Sequence, residues 1–171
     1  MRKKLLLLGA ILTLAGVAGL CAWQTMRRGP DNLMGIPDDP DEVILFSVDG
    51  TNTDEEPEEQ GRPKGEELLY EYPILGRVIV TDPSQKQLVI ALVKQDIQIG
   101  WPVQAKCFYP RHVLRVVKAG RIIDVVICFE CHKCEIHQNG DSDGGLTQTF
   151  GERSLTLLNK IIRDAGVPIA R

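Results

Sequence analysis

The run from His112 to Ile127 constrains this chain more than any other stretch. Val113-Leu114-Arg115-Val116-Val117 and Ile122-Ile123-Asp124-Val125-Val126-Ile127 flank Lys118-Ala119-Gly120-Arg121. Branched side chains suit a pleated surface and lose rotamer freedom in a helix, so the pattern reads as two strands of a β-hairpin. If Ala119 and Gly120 form a two-residue turn, Lys118 faces Arg121, Val117 faces Ile122, Arg115 faces Asp124 and Val113 faces Val126. Opposite charges at facing positions favour this register, and a slip of one residue would send one of them to the other side. Continued outward, the register sets Arg111 against Cys128 and brings Cys107 towards Cys131 and His132.

That open end of the hairpin is chemically rich. Ile127 to His137 holds three of the five cysteines and two of the three histidines. Four chemistries compete for Cys107, Cys128, Cys131 and Cys134. Cys107, His112, Cys128 and Cys131 make a candidate zinc set of three cysteines and one histidine, with Cys134 as a substitute for His112, since tetrahedral zinc takes four such ligands. A disulfide is the second reading and suits an oxidising compartment. Thiol–disulfide exchange by Cys128 and Cys131 is the third, although exchange motifs usually open a helix and His132 to Asn139 is not helix-like. Cys128-x-x-Cys131-His132 also matches covalent c-type haem attachment. It closes a β-type run in a domain short of the helices that wrap haem, which disfavours that cofactor. Arg111 and His112 are further candidates for work beside a cysteine, whereas Glu130 reads as an exposed strand carboxylate.

Ahead of the domain, Arg2-Lys3-Lys4 precedes an uncharged stretch, Leu5 to Trp23, followed by Arg27 and Arg28. At about 1.5 Å per residue this stretch is long enough to cross a bilayer as a helix, with Trp23 at the interface. The charge asymmetry leaves the N-terminus in the cytoplasm and the domain outside. Residues 1–28 are thus read as a single-pass anchor, and a cleaved signal peptide is the rival reading. Residues 29–41, with three prolines and four aspartates, form a spacer. Residues 42–171 form one extracytoplasmic domain, in which the acidic stretch 51–67 is a disordered loop. A net charge of -3 argues against a nucleic-acid partner.

Within the domain, Val43 to Val48 reads as a first strand and Val78-Ile79-Val80 as a short second one after an entry segment interrupted at Pro73 and Gly76. Asp82-Pro83 opens a helix of about three turns with Leu88, Ala91, Leu92 and Gln95 on one face and Val89 and Val93 alongside. Asn139 to Gly145 is a turn-rich loop. Leu155, Leu158, Ile161, Ile162 and Ala165 trace a closing helix, entered through Thr149-Phe150-Gly151-Glu152 and stopped by Gly166 and Pro168. The expected fold is α+β, a small antiparallel sheet of four or five strands with two helices on one face, behind the transmembrane helix. The chain lacks a Gly-x-Ser-x-Gly elbow, a phosphate-cradling glycine loop and His-Glu-x-x-His.

Cys107-Phe108-x-Pro110-Arg111-His112, the hairpin, Ile127-Cys128-Phe129-Glu130-Cys131 and the ending Asp164-Ala165-Gly166-Val167-Pro168 together resemble an uncharacterised family of exported or membrane-anchored bacterial proteins of planctomycete type. The likeness spans Asp41 to the C-terminus. It implies an exported or anchored domain and brings no activity, cofactor or catalytic residue. His132 and Cys134 fall outside its pattern, which weighs against haem and against any site that needs Cys134. The reading is therefore a non-enzymatic binding or envelope-structural domain stabilised by its cysteines, with a thiol- or metal-dependent redox enzyme using Cys107, Cys128 and Cys131 as the alternative.

Overall fold

The computed structural model describes residues 33–50, 67–102, 105–141 and 145–170. The expected membrane helix and almost all of the acidic loop lie outside the described residues. Among the described residues no helix is long and apolar enough to cross a membrane.

The domain is α+β, as expected, but among the described residues the antiparallel sheet has seven strands rather than four or five. In chain order they are β1 (Glu42–Val48), β2 (Leu68–Leu69), β3 (Tyr72–Ile79), β4 (His112–Lys118), β5 (Arg121–Cys128), β6 (Lys133–Gln138) and β7 (Leu146–Thr149). Their spatial order is β2-β3-β1-β4-β5-β6-β7. Helix α1 (Pro83–Ile99) connects β3 to the β4 region, and helix α2 (Leu155–Asp164) follows β7. The β4–β5 pairing matches the sequence register at every position: Lys118 faces Arg121, Arg115 faces Asp124 and Val113 faces Val126. Ala119 and Gly120 both have positive φ, 50° and 76°, which is the type I′ geometry that matches strand twist. Asp41 braces this turn by accepting from the Ala119 amide and from Lys118. Those bonds, the Ala119 amide first, hold its carboxyl below the usual range.

Period-two alternation divides the sheet into two unlike faces. Val43, Leu45, Leu114, Val116, Ile123, Val125 and Ile127 alternate to one side and are fully buried. The α2 region belongs to this side: Asn159 meets His112, and Ser47 donates to the carbonyl of Pro168 just beyond the helix. The chain after α2 passes so close to β3 that a Cβ on Gly76 would lie 2.6 Å from a Val167 methyl, which explains a glycine inside a strand. On the other side Phe46, Val48, Val113 and Val126 cluster with Leu69, Tyr70, Tyr72 and Phe108. Tyr70, in the β2–β3 turn, stacks on His137 of β6, so the sheet must curl to bring strands at its two ends together.

Both helices differ from the sequence reading in detail. α1 begins as expected, with the Asp82 carboxylate accepting from the Gln85 amide and Pro83 in the first turn, but it runs for 17 residues. It buries Val89, Ile90, Val93, Lys94, Asp96 and Ile97, whereas Leu88, placed on the inner face by sequence, is 50% exposed. Leu88 to Val93 is apolar almost all round, so periodicity does not select a stripe; polar partners do. Lys94 pairs with Asp38. Asp96 accepts from the Arg153 and Ser154 amides and from the Ser154 hydroxyl, at 2.9, 2.8 and 2.6 Å. A side chain of α1 therefore satisfies the start of α2, which has no cap from Ser154 itself. These bonds fix the chain entering α2, in place of the expected entry at Thr149–Glu152. In α2 the inner residues are Leu158, Ile161 and Ile162, with Ala165 exposed. The described end of the expected spacer packs on the domain, with Ile36 fully buried and Asp39 and Asp41 paired to Lys118.

Candidate functional site

β5 and β6 are joined by Phe129-Glu130-Cys131-His132, a tight turn closed by the His132 amide on the Phe129 carbonyl and by His132 at φ 51°. The turn brings Cys128 back to Cys131, and the two form a disulfide with Cα atoms 5.3 Å apart. The Cys131 amide donates to Cys128 Sγ at 3.1 Å. Both cysteines are buried.

Regular β4 pairing stops at His112, yet the preceding chain stays beside the β5–β6 turn. The Arg111 amide bonds the Ile127 carbonyl, the Tyr109 amide donates to Cys131 Sγ at 3.5 Å, and the Ala105 amide bonds the Cys131 carbonyl. Pro110, which has no amide hydrogen to give, is buried between these contacts. Cys107 is thereby set with its Sγ 3.5 Å from Cys131 Sγ, and it is exposed. Cys107, Cys128 and Cys131 are thus gathered as the hairpin register predicts.

His112 lies apart from the sulfurs in function. Its Nε2 is 2.9 Å from Asn159 Oδ1, and its ring meets Phe129 edge-on at 5.4 Å. Two sulfurs of the expected zinc set are bonded to each other, and the histidine is engaged by α2. Among the described residues no group of three or more histidine, cysteine or acidic side chains is arranged to hold a metal. Cys134 is buried on the helix side of β6, where burial first, then Glu135 and Asp96, push its thiol up to about 12. It is inert as a nucleophile near neutral pH. His132, the haem-motif histidine, stacks on Trp101 with ring centroids 4.2 Å apart. Trp101 itself is 40% exposed.

Beside the disulfide is a cleft of about 380 Å³ lined by Tyr109, Arg111, His112, Phe129, Asn159 and Arg163, among others. Its size falls in the small-ligand range. Phe129 and Glu130, the two residues between the bonded cysteines, both line it, and Glu130 pairs with Arg111 at 2.8 Å. Glu130 is exposed, as read from sequence, but it is engaged. Asn159 and Arg163 carry no sequence signal of a site, because nothing local says that this face of α2 meets His112.

The chain matches no family model, no curated protein and no solved structure.

Burial, reinforced by the charge of Arg111 and only partly offset by the Asn159 bond, lowers the His112 pKa to about 4. The native imidazole is neutral where the unfolded one, titrating near 6.5, still binds a proton. Stability from this source is full above about pH 6.5 and falls as pH drops towards 4, by about 3 kcal/mol over that window. Denaturant titrations at pH 7 and 4.5 should show His112→Gln with a flatter pH dependence than wild type. Equal slopes would mean that His112 is not the buried neutral group described.

Proposed function

We propose that this is a membrane-tethered extracytoplasmic domain that carries out thiol–disulfide exchange at Cys107, Cys131 and Cys128. The tether is Leu5 to Trp23, and its flanking charges place the domain outside the cytoplasm. The observation that carries the reading is the exposed Cys107 sulfur at 3.5 Å from one sulfur of a buried disulfide.

The exchange is internally balanced. Cys107 loses its proton to water, and its thiolate attacks Cys131 Sγ. The Cys107–Cys131 bond forms as the Cys131–Cys128 bond breaks. The electron pair leaves on Cys128 Sγ, which then takes up a proton, so one thiol and one disulfide remain and no external oxidant is consumed. The Cys131 amide already donates to Cys128 Sγ and would stabilise the departing thiolate. The result moves the free thiol from an exposed position to a buried one. An exposed Cys107 is also where a thiol of a partner protein can enter the same sequence.

A second reading is a non-enzymatic binding or envelope-structural domain that uses the disulfide as a staple. The burial of Cys128 and Cys131 favours it. One substitution separates the two. In Cys128→Ser, air oxidation should yield a Cys107–Cys131 disulfide in most molecules, identified by peptide mapping after alkylation. Recovery of Cys107 and Cys131 as separately alkylated thiols would remove the exchange reading and leave the staple.

A further inference from the structure

Cys107, Cys128 and Cys131 place three sulfurs at one spot that is open on the Cys107 side. Cys131 is bonded to Cys128, its Sγ is 3.5 Å from Cys107 Sγ, and Cys107 is exposed. The oxidised turn ties two of these sulfurs to each other. A dithiol reductant gives two electrons and two protons to the Cys128–Cys131 bond and closes to its own disulfide, leaving three thiols side by side in the protein. Cys-x-x-Cys with Cα atoms 5.3 Å apart is then a different kind of unit, because the same spacing lets two cysteines hold one metal ion.

We propose that the reduced turn binds one copper(I) ion through Cys107, Cys128 and Cys131. Three sulfurs about 2.3 Å from one ion in a plane stand about 4 Å from each other. Cys107 and Cys131 are close to that separation already, and Cys128 has only to draw back from Cys131 once their bond is broken. Two of the three ligands already receive backbone hydrogens: Cys128 Sγ from the Cys131 amide at 3.1 Å, and Cys131 Sγ from the Tyr109 amide at 3.5 Å. Such donors favour the thiolate and fix its direction. Each ligating thiol gives its proton to water, and copper keeps its oxidation state.

The number of ligands selects the ion. Zinc takes four, and a fourth is not at hand. His112 and Cys134 both face Ile127 in the strand register, so their side chains leave the sheet on the opposite side from Cys128. His132, next to Cys131, is stacked on Trp101 with Nδ1 towards Glu152. A three-coordinate site made only of thiolates suits a soft monovalent ion, and copper(I) is the one that such ligands select. The exposed side of Cys107 is its way in.

The test uses the full-length chain in detergent with Cys21→Ser, so that the N-terminal stretch contributes no thiol. Dithiothreitol reduces it and is then removed under argon. Titration with copper(I) against the chelator bicinchoninate should give one ion per chain, and X-ray absorption should read three sulfurs at about 2.3 Å and no nitrogen. Cys107→Ser changes an exposed residue and should leave two sulfurs on the ion. It should also weaken binding at least about tenfold, the loss that follows even removal of a group bonded to a ligand. The air-oxidised chain should bind no stoichiometric copper. Two sulfurs or a nitrogen on the ion before Cys107 is changed, undiminished affinity in Cys107→Ser, or equal binding by the oxidised chain would overturn the proposal. The site does not rest on the exchange reading. Copper binding by a protein whose Cys128→Ser variant forms no Cys107–Cys131 disulfide refutes exchange and sustains the site.

Discussion

Asp124→Ala is expected to destabilise the domain by about 3 to 5 kcal/mol, because it strands a partly buried arginine and a tyrosine on the inside of the curled sheet. Asp124 is fully buried. Its carboxylate accepts from Arg115 Nε and NH2 at 2.8 and 2.7 Å and from the Tyr70 hydroxyl at 2.7 Å. The Arg115 guanidinium also lies 5.3 Å from the Phe46 ring centroid. Burial first, then the bond to Asp124, raises the Tyr70 pKa, so the phenol remains a donor across the working range. Tyr70 and Glu71 have φ of 51° and 69°, a strained turn for two residues with side chains. Tyr70→Phe removes one bond and should cost about 1 kcal/mol. The combined replacement Arg115→Met with Asp124→Leu should recover most of the Asp124→Ala loss, since apolar substitutes for a buried pair leave no charge unpaired. Urea midpoints for the four proteins decide the matter. A loss below about 1 kcal/mol for Asp124→Ala would show that water reaches the network.

Leu158→Ala should cost about 2 to 5 kcal/mol. Leu158 is fully buried in α2, which packs on β1 and β3. The same helix presents Asn159 to His112 and lines the cleft with Leu155 and Arg163. Loosening it should therefore disturb the site as well as the core. Urea denaturation gives the stability change, and the His112 imidazole resonances report the site. A change under about 0.5 kcal/mol would make α2 peripheral, contrary to its contacts.

The β4–β5 hairpin was legible because three local signals agree: branched residues on both arms, a two-residue turn and Arg115 opposite Asp124. Its register also carried Cys107 to the turn bearing Cys128 and Cys131. β6 was harder to read. Cys134 and Ile136 alternate with Lys133, Glu135 and His137, but with two buried apolar positions the period is weak, and cysteine and histidine suggested ligands before a strand. The β2–β3 turn carries Tyr70 and Glu71 where glycine, asparagine or aspartate would advertise positive φ, so sequence showed only an interrupted entry segment.

Side-chain pattern by itself determined the α+β class, the hairpin register, the start of α1, the inner face of α2 and the meeting of Cys107 with the β5–β6 turn. These features rest on neighbours a few residues apart or on one extended ladder. Tertiary structure alone decided which stripe of α1 is buried, that Asp96 binds the chain entering α2, that Tyr70 reaches Asp124, and that His112 turns to Asn159. The last three join residues 47 to 58 positions apart. At that separation the partner is chosen by sheet curl and helix docking, for which the local sequence holds no period.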